Sequence, residues 1–116
     1  MIVRNKTRRM QTEALTAFSA FRKIRGLMFR PGPVSILFDF GAEGIHPIHS
    51  LFVFFPFCAV YMDSGGRVTE KFRVGPFSLL CKNSWPARYL LETDLETGES
   101  FSPGDEVDFD AGMENH

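Results

Sequence analysis

Residues 57–74 read FCAVYMDSGGRVTEKFRV, and this stretch decides the fold class. Its first six residues are all apolar, which is typical of a strand buried in a sheet. The sequence Asp63-Ser64-Gly65-Gly66 predicts a tight turn, in which the two glycines supply positive φ at low steric cost. Residues 67–74 then alternate in polarity, so the whole stretch predicts an antiparallel hairpin. The side chains expected on one face of the second strand are Val68, Glu70, Phe72 and Val74.

Proline and glycine divide the rest of the chain into short apolar segments of strand length. Residues 35–40 predict a strand with Ile36, Phe38 and Phe40 on one face and Leu37 on the other. Residues 48–55 are almost wholly apolar, as in a strand buried on both faces, until Pro56 interrupts them. Further strands are expected over 88–93 and, after a turn at 102–105, over 106–110. The pattern predicts a mainly β (α+β) fold, a compact barrel-like antiparallel or mixed sheet with one or two short helices.

The first thirty residues allow two interpretations. Residues 12–25 could form one helix, because Leu15, Phe18 and Phe21 recur at helical spacing. Alternatively, residues 11–17 form a strand and Ser19 caps a short helix. Helix propensity alone favours the long helix.

Length and composition indicate one globular domain. The chain has 116 residues, of which 44% are hydrophobic and 23% are charged, and this excludes a disordered chain. The domain is expected over residues 1–110, with a frayed tail at 111–116. No apolar run reaches the roughly 18 residues of a membrane span. Most of the 13 phenylalanines fall in predicted strands and are expected in the core. The phenylalanines left as candidates for contact with a partner are Phe18, Phe21, Phe29, Phe77 and Phe101.

Charge is distributed unevenly although the net charge is only -1. Residues 1–30 carry eight bases and a single acid, whereas residues 89–116 carry nine acids and no lysine or arginine. Such ends either pair across the fold or attract different partners, and we expect pairing within the molecule. The two cysteines, Cys58 and Cys81, have apolar neighbours and are expected to be buried thiols. Since no signal peptide is evident, the sequence predicts a cytoplasmic protein.

A family resemblance begins at Arg25-Gly26-Leu27-Met28-Phe29-Arg30. With the segments downstream, this motif resembles the signature of a small prokaryotic family, domain-of-unknown-function family 192. The resemblance spans nearly the whole chain. The further segments that carry it are Ile36-Leu37-Phe38-Asp39-Phe40, the apolar residues 48–63 around Pro56, Gly66-Arg67-Val68, Gly75-Pro76, Pro86-Ala87-Arg88-Tyr89-Leu90-Leu91-Glu92 and Gly104-Asp105-Glu106-Val107.

The chain also departs from the common pattern of that family. Many members carry Trp-Met-Lys-Asn-Thr where this chain has His49-Ser50-Leu51-Phe52-Val53, and Cys58 replaces an Asp that often follows the proline. In this respect the chain resembles the archaeal branch. The resemblance implies a mainly β, barrel-like fold, favours a strand followed by a short helix in residues 11–28, and implies no known activity.

His46 and His49 are the first candidates for a site. They flank Pro47, but two histidines need at least a third ligand to hold a metal, and Glu43 is the only nearby carboxylate. On a strand, residues three apart point to opposite faces. A histidine hydrogen-bonded to the backbone at a strand entrance is therefore the favoured interpretation, and we expect neither a metal nor another cofactor.

The candidates for other chemistry are equally sparse. An enzyme would use His49 with Asp63 or Glu92, yet no catalytic constellation is evident, so whether the chain is an enzyme stays open. Asp63 is expected to cap its turn and Glu92 to pair with a base. Single-stranded nucleic acid could bind the basic first third, although a pI near 6.3 lacks the usual basic footprint.

The sequence thus favours a small binding or accessory module. Its partner is expected to be a small molecule or a protein, with no membrane, approached at the edge near residues 46–50 and Arg25. Arg25 and Arg30 could form an anion-binding lip. The candidate ligand-binding residues are Arg25, Arg30, His46, His49, Ser50, Asp63 and Glu92.

Overall fold

Eight strands and one short helix are present in the described part of this computed structural model, which is residues 1–17, 35–47, 55–76 and 82–110. Asp94 caps the helix, because its side chain accepts a hydrogen bond from the Thr97 backbone N–H. The elements are β1 (Ile2–Asn5), β2 (Met10–Glu13), β3 (Leu15–Ala17), β4 (Ile36–Gly44), β5 (Phe57–Met62), β6 (Val68–Val74), β7 (Ala87–Thr93), α1 (Leu95–Gly98) and β8 (Val107–Asp110).

The larger sheet has five strands in the order β3-β4-β7-β5-β6. Only β3 and β4 run parallel; the other neighbours are antiparallel. Side chains of β5 alternate between two hydrophobic clusters, so that Ala59 belongs to one and Val60 to the other. Because both faces of β5 are covered, all six of its residues are buried, and this explains its uninterrupted apolar sequence.

The smaller sheet has three antiparallel strands in the order β2-β1-β8. It meets the larger sheet where Arg67 forms an isolated bridge with Glu106. Next to this bridge the Val107 backbone N–H donates to the Gly66 carbonyl at 2.9 Å. Val3 and Val107 of the smaller sheet pack in the same cluster as Val60. The two sheets therefore share one core and do not close into a barrel within the described residues, which corrects the barrel-like expectation while confirming the mainly β class.

Most of the strands predicted from the sequence are confirmed. The hairpin of β5 and β6 forms with a turn in which the Gly66 N–H donates to the Asp63 carbonyl at 3.0 Å. Of the two turn glycines, Gly66 alone has positive φ. In the first thirty residues the extended interpretation of 11–17 is confirmed, but the predicted single strand divides at Ala14 into β2 and β3, which lie in different sheets. The predicted segment at 48–54 and the helix after Ser19 lie outside the described residues.

One predicted face of β6 is wrong, because a β-bulge interrupts the alternation. The register pairs Tyr61 with Glu70 but Met62 with Val68, so Thr69 is the extra residue. Val68 consequently belongs to the cluster of Met62, whereas Phe72 and Val74 face the other cluster.

Phe101 was expected as a candidate for partner contact and is instead fully buried at 0% exposure. It packs in the cluster shared by the two sheets. Phe18, Phe21, Phe29 and Phe77 lie outside the described residues. No helix in the described ranges is long and apolar enough to cross a membrane.

Candidate functional site

Trp85 is the most exposed large hydrophobic side chain of the described residues, with 66% of its surface accessible. It lies on the loop that leads into β7. Glu70 of β6 fixes the backbone of this loop, since its carboxylate accepts the N–H groups of Ser84 at 2.9 and 3.0 Å and of Trp85 at 3.0 Å. The indole ring is thus held at the surface by a backbone that is itself anchored.

Asn83 fixes the same loop from the other side. Its side chain is buried, with 2% residue exposure. The amide donates to the carbonyls of Trp85 at 2.6 Å and Gly44 at 3.0 Å, and its oxygen accepts the His46 N–H at 2.8 Å. One side chain therefore joins the start of β7 to the end of β4.

His46 adopts the structural arrangement that the sequence favours. Its ring stacks on Phe40 with centroids 3.9 Å apart, and Nε2 lies 3.2 Å from the Ala42 carbonyl. Its own carbonyl accepts the Tyr61 hydroxyl at 2.7 Å. His46 thus anchors the end of β4 through backbone contacts.

Asp63 caps the hairpin turn, as expected. Oδ1 accepts the backbone N–H groups of Gly65 and Arg67, both at 2.9 Å. Beside it, the carboxylate of Glu43 accepts the Ser64 N–H at 2.8 Å and so connects the end of β4 to the turn.

Glu43, Asp63 and Trp85 border an open cavity of about 360 Å³, called here the Trp85 cleft. Arg67 is exposed, and its guanidinium forms no ion pair with the described part of the chain. The cleft thus combines an indole face, the cation of Arg67 and two carboxylates that each use one oxygen on backbone N–H groups. The residues that form it include Glu43, Asp63, Arg67, Thr69, Trp85 and Pro86.

The structure brings together only some of the predicted site residues. Asp63 lines the cleft, whereas His46 follows the end of β4 and is not among the residues that line it. Glu92 is buried within β7 opposite Ala59, four positions along the strands from Asp63, or roughly 13 Å. It therefore does not converge with Asp63. The predicted residues Arg25, Arg30, His49 and Ser50 lie outside the described residues.

Sequence reasoning missed Trp85, Arg67, Glu70 and Asn83. A signal for Trp85 was present, because the only tryptophan of the chain lies in the break Asn83-Ser84-Trp85-Pro86, where a core residue is not expected. No comparable signal marked Glu70, since its role depends on which loop lies over its strand.

Two of the eight bases near the start of the chain, Arg4 and Arg8, pair with acids near its end, which agrees with part of the expected balance of charge. Arg4 lies 3.1 Å from Asp108 and 3.6 Å from Asp110, and Arg8 lies 3.0 Å from Asp105. Register explains the first two contacts, since β1 and β8 are neighbours in the smaller sheet. Two bases that could have contacted nucleic acid are therefore already engaged.

Two further groups have shifted pKa values. A hydrogen bond from Arg88 at 2.9 Å lowers the pKa of Asp39 on β4, with help from the Gly41 N–H. Burial raises the pKa of the Cys58 thiol, so it is a protonated core residue, as expected. Cys81 lies outside the described ranges. Within those ranges no three His, Cys, Asp or Glu side chains are placed to hold a metal ion.

Two solved structures are similar to this fold. One is a "putative transcription regulator" from Sinorhizobium meliloti, 21% identical, with a TM-score of 0.80 over 92% of this chain and 89% of that one. The other is a protein of unknown function from Novosphingobium aromaticivorans, 17% identical, with a TM-score of 0.81 over 93% of this chain and 82% of that one. At these identities the likeness shows the fold alone. No protein with a curated description matches the sequence.

The sequence profile of the DUF192 family, described as "Uncharacterized ACR", matches residues 1–109. The match includes all the strands described above except the last residue of β8. It confirms the resemblance that began at residues 25–30, and the chain accordingly belongs to the DUF192 family.

Proposed function

We propose that this protein is a binding module for a small molecule, and that the ligand lies in the Trp85 cleft. One observation carries the proposal: an indole that is 66% exposed on a loop held in place by Glu70 and Asn83. Removing a tryptophan side chain from water is favourable. Because this loop holds the ring in solvent, the apolar surface of the ring is available to a ligand. Tryptophan and arginine are also the residue types that dominate binding energy at interfaces.

The lining of the cleft indicates the chemistry of the ligand. The guanidinium of Arg67, which has no ion-pair partner among the described residues, can donate two parallel hydrogen bonds to a carboxylate. The indole offers an apolar surface to a planar group. We therefore propose a ligand that combines a planar apolar body with a carboxylate. The volume of about 360 Å³ lies at the lower end of the range for small-molecule sites.

Glu43 and Asp63 add negatively charged groups to the lining of the cleft, which also holds the positively charged Arg67. Each uses one carboxylate oxygen on the turn backbone. The remaining oxygens can accept hydrogen bonds from an amino group, so an aromatic amino acid is expected to bind more tightly than the matching acid without an amine.

The cleft lies beside the edge proposed from the sequence, because Glu43 lines it and His46 follows three residues later. Ligand contacts by His46, Asp63 and Glu92 stay predictions, as do those of the residues outside the described ranges and the cytoplasmic location. The residues outside those ranges that were predicted to take part are Arg25, Arg30, His49 and Ser50.

The alternatives receive less support. An enzyme using His49 with Asp63 or Glu92 is disfavoured, because Asp63 accepts two N–H groups of the turn and Glu92 is buried within β7. Nucleic-acid binding through the first third loses Arg4 and Arg8 to ion pairs. Because one structural neighbour is described as a "putative transcription regulator", the binding test includes a single-stranded oligonucleotide as a control ligand.

Fluorescence of Trp85 tests the proposal directly, since it is the only tryptophan. We would titrate the full chain with benzoate, phenylalanine, propionate and a single-stranded oligonucleotide. A saturable change is expected with benzoate and phenylalanine at dissociation constants of about 1 mM, as suits ligands of this size. Propionate, which lacks the ring, is expected to bind far more weakly.

Two variants separate the cleft from general charge effects. Arg67→Ala is expected to weaken benzoate binding about tenfold, because a charge-assisted pair is lost. Arg73→Ala removes the same charge from an exposed position of β6 outside the cleft and is expected to bind as wild type does. Equal binding by Arg67→Ala, or a response to the oligonucleotide alone, would contradict the proposal.

A further inference from the structure

The hairpin of β1 and β2 carries a second open cavity, of about 350 Å³, on the smaller sheet. Three of the side chains that line it are cations. Nothing in the Trp85 cleft requires them, because the two cavities have no lining residue in common. The residues around this second cavity, called here the hairpin cavity, are Arg4, Asn5, Lys6, Arg9, Met10 and Gln11.

Lys6 and Arg9 are the first and last residues of the turn that joins β1 to β2. The last strand pair before this turn is Asn5 with Met10, and both cations line the cavity beside it. Like charges that border one small cavity repel. Within the described ranges neither side chain has an ion-pair partner, whereas Arg4 and Arg8 both contact acids.

Arg9 also adopts an unfavourable backbone conformation. Its φ is 55°, and it is the only described residue other than glycine with positive φ. Glycine or asparagine would occupy this position with less strain. A long cation is thus present where the backbone favours glycine, and it shares the cavity with a second cation. Two local costs at one place are typical of a site whose side chains are used in binding.

We propose that the hairpin cavity binds the phosphate group of a small phosphorylated molecule. Arginine can donate to two phosphate oxygens at once, lysine adds a compact charge, and Gln11 supplies a neutral amide donor. The dianion would neutralise the repulsion between Lys6 and Arg9. Binding at this cavity is independent of the ligand of the Trp85 cleft.

The surroundings favour a small ligand over a nucleic acid. On the other side of β1, the adjacent strand carries Asp108 and Asp110, and Glu106 precedes it next to Lys6. A long phosphate backbone that left the cavity in that direction would meet these carboxylates. A compact phosphate group within about 350 Å³ avoids them.

Calorimetric titration of the full chain with inorganic pyrophosphate tests this site. Lys6→Ala and Arg9→Gly are each expected to weaken binding at least tenfold. Arg9→Gly is expected to fold at least as stably as wild type, because glycine adopts this φ without strain, so its loss of binding is no folding defect. Arg73→Ala and Arg67→Ala are expected to bind pyrophosphate as wild type does.

Three results would overturn the proposal. The first is that wild type binds no pyrophosphate. The second is that Arg73→Ala weakens binding as much as Lys6→Ala does, which would indicate a general charge effect. The third is that a single-stranded oligonucleotide binds more tightly than pyrophosphate and that its affinity falls steeply with salt. This result would assign the cavity to nucleic acid. None of these results depends on whether benzoate binds at Trp85.

Discussion

Glu70 accepts the backbone N–H of Trp85 at 3.0 Å, and this contact ties the exposed indole to a strand that is not adjacent to its own. β6 and β7 are separated by β5, so the side chain of Glu70 reaches the loop before β7 from two strands away. Its carboxylate also accepts the Ser84 N–H, and the loop thereby gains a fixed backbone.

Glu70→Ala is expected to loosen this loop. Removing the carboxylate leaves the N–H groups of Ser84 and Trp85 to water, at a cost of about 1 kcal/mol in the free energy of unfolding. The fluorescence anisotropy of Trp85 should fall, and benzoate affinity should fall with it. The matched control is Glu96→Ala, an exposed acid on α1. Unchanged anisotropy in Glu70→Ala would show that the loop does not depend on this contact.

Gly66→Ala is expected to be strongly destabilising. Gly66 has a φ of +83°, and a Cβ there would collide with the carbonyl oxygen of Val107 where the two sheets meet. Strain and collision together should lower the free energy of unfolding by at least about 2 kcal/mol. A Cβ added at Gly75 has no atom within 4 Å, so Gly75→Ala should change the free energy of unfolding by less than about 0.5 kcal/mol. Urea denaturation measures both variants. Comparable midpoints for the two variants would refute the close approach.

Asn5→Ala should destabilise the junction of the chain ends. The buried amide of Asn5 donates to Asp105 at 2.9 Å and to the Ser100 carbonyl at 2.8 Å. Truncation to alanine leaves these two acceptors without the hydrogen bonds from Asn5, which should lower the free energy of unfolding by about 1–3 kcal/mol. Chemical denaturation measures this loss of stability. The control is Gln11→Ala, which changes an exposed residue of the same sheet. A loss no larger than that of the control would mean that water replaces the amide.

The stability of the Asp39→Asn variant should depend on pH. Arg88 lowers the pKa of Asp39, so the folded carboxyl releases its proton more readily than the unfolded one. The resulting stabilisation is complete above the unfolded pKa of about 3.9 and disappears as pH falls through the lower folded pKa. The variant should therefore have a lower urea midpoint than wild type at pH 7, and the deficit should shrink towards pH 3. An equal deficit at both pH values would argue against this ion pair.

Local pattern predicted the strands of the larger sheet well where alternation was regular. Both faces of β4 and β5 follow from period two, because Leu37 and Val60 pack on one side and Phe38 and Ala59 on the other. The bulge at Thr69 was not predictable from period two, since an extra residue leaves the composition unchanged and only the register reveals it.

The candidate site was harder to predict than the fold. Its turn chemistry could be predicted, and Asp63 caps the turn as expected. The positions of Trp85 and Arg67 depend instead on which loops meet at one end of the larger sheet, and that is a long-range property of the topology. β1 was likewise missed because its four residues hold two polar side chains, one of which, Asn5, is buried by partners from the far end of the chain.

The most direct test of the account is the indole N–H signal of Trp85 in a proton–nitrogen NMR spectrum, which is a single peak because the chain has one tryptophan. Benzoate should move this peak saturably, together with the backbone signals of Asp63 and Arg67, which line the same cleft, and Arg67→Ala should weaken the effect about tenfold. If the indole peak stays in place while signals elsewhere in the sheets move, the ligand site is not at Trp85 and the proposed function is wrong.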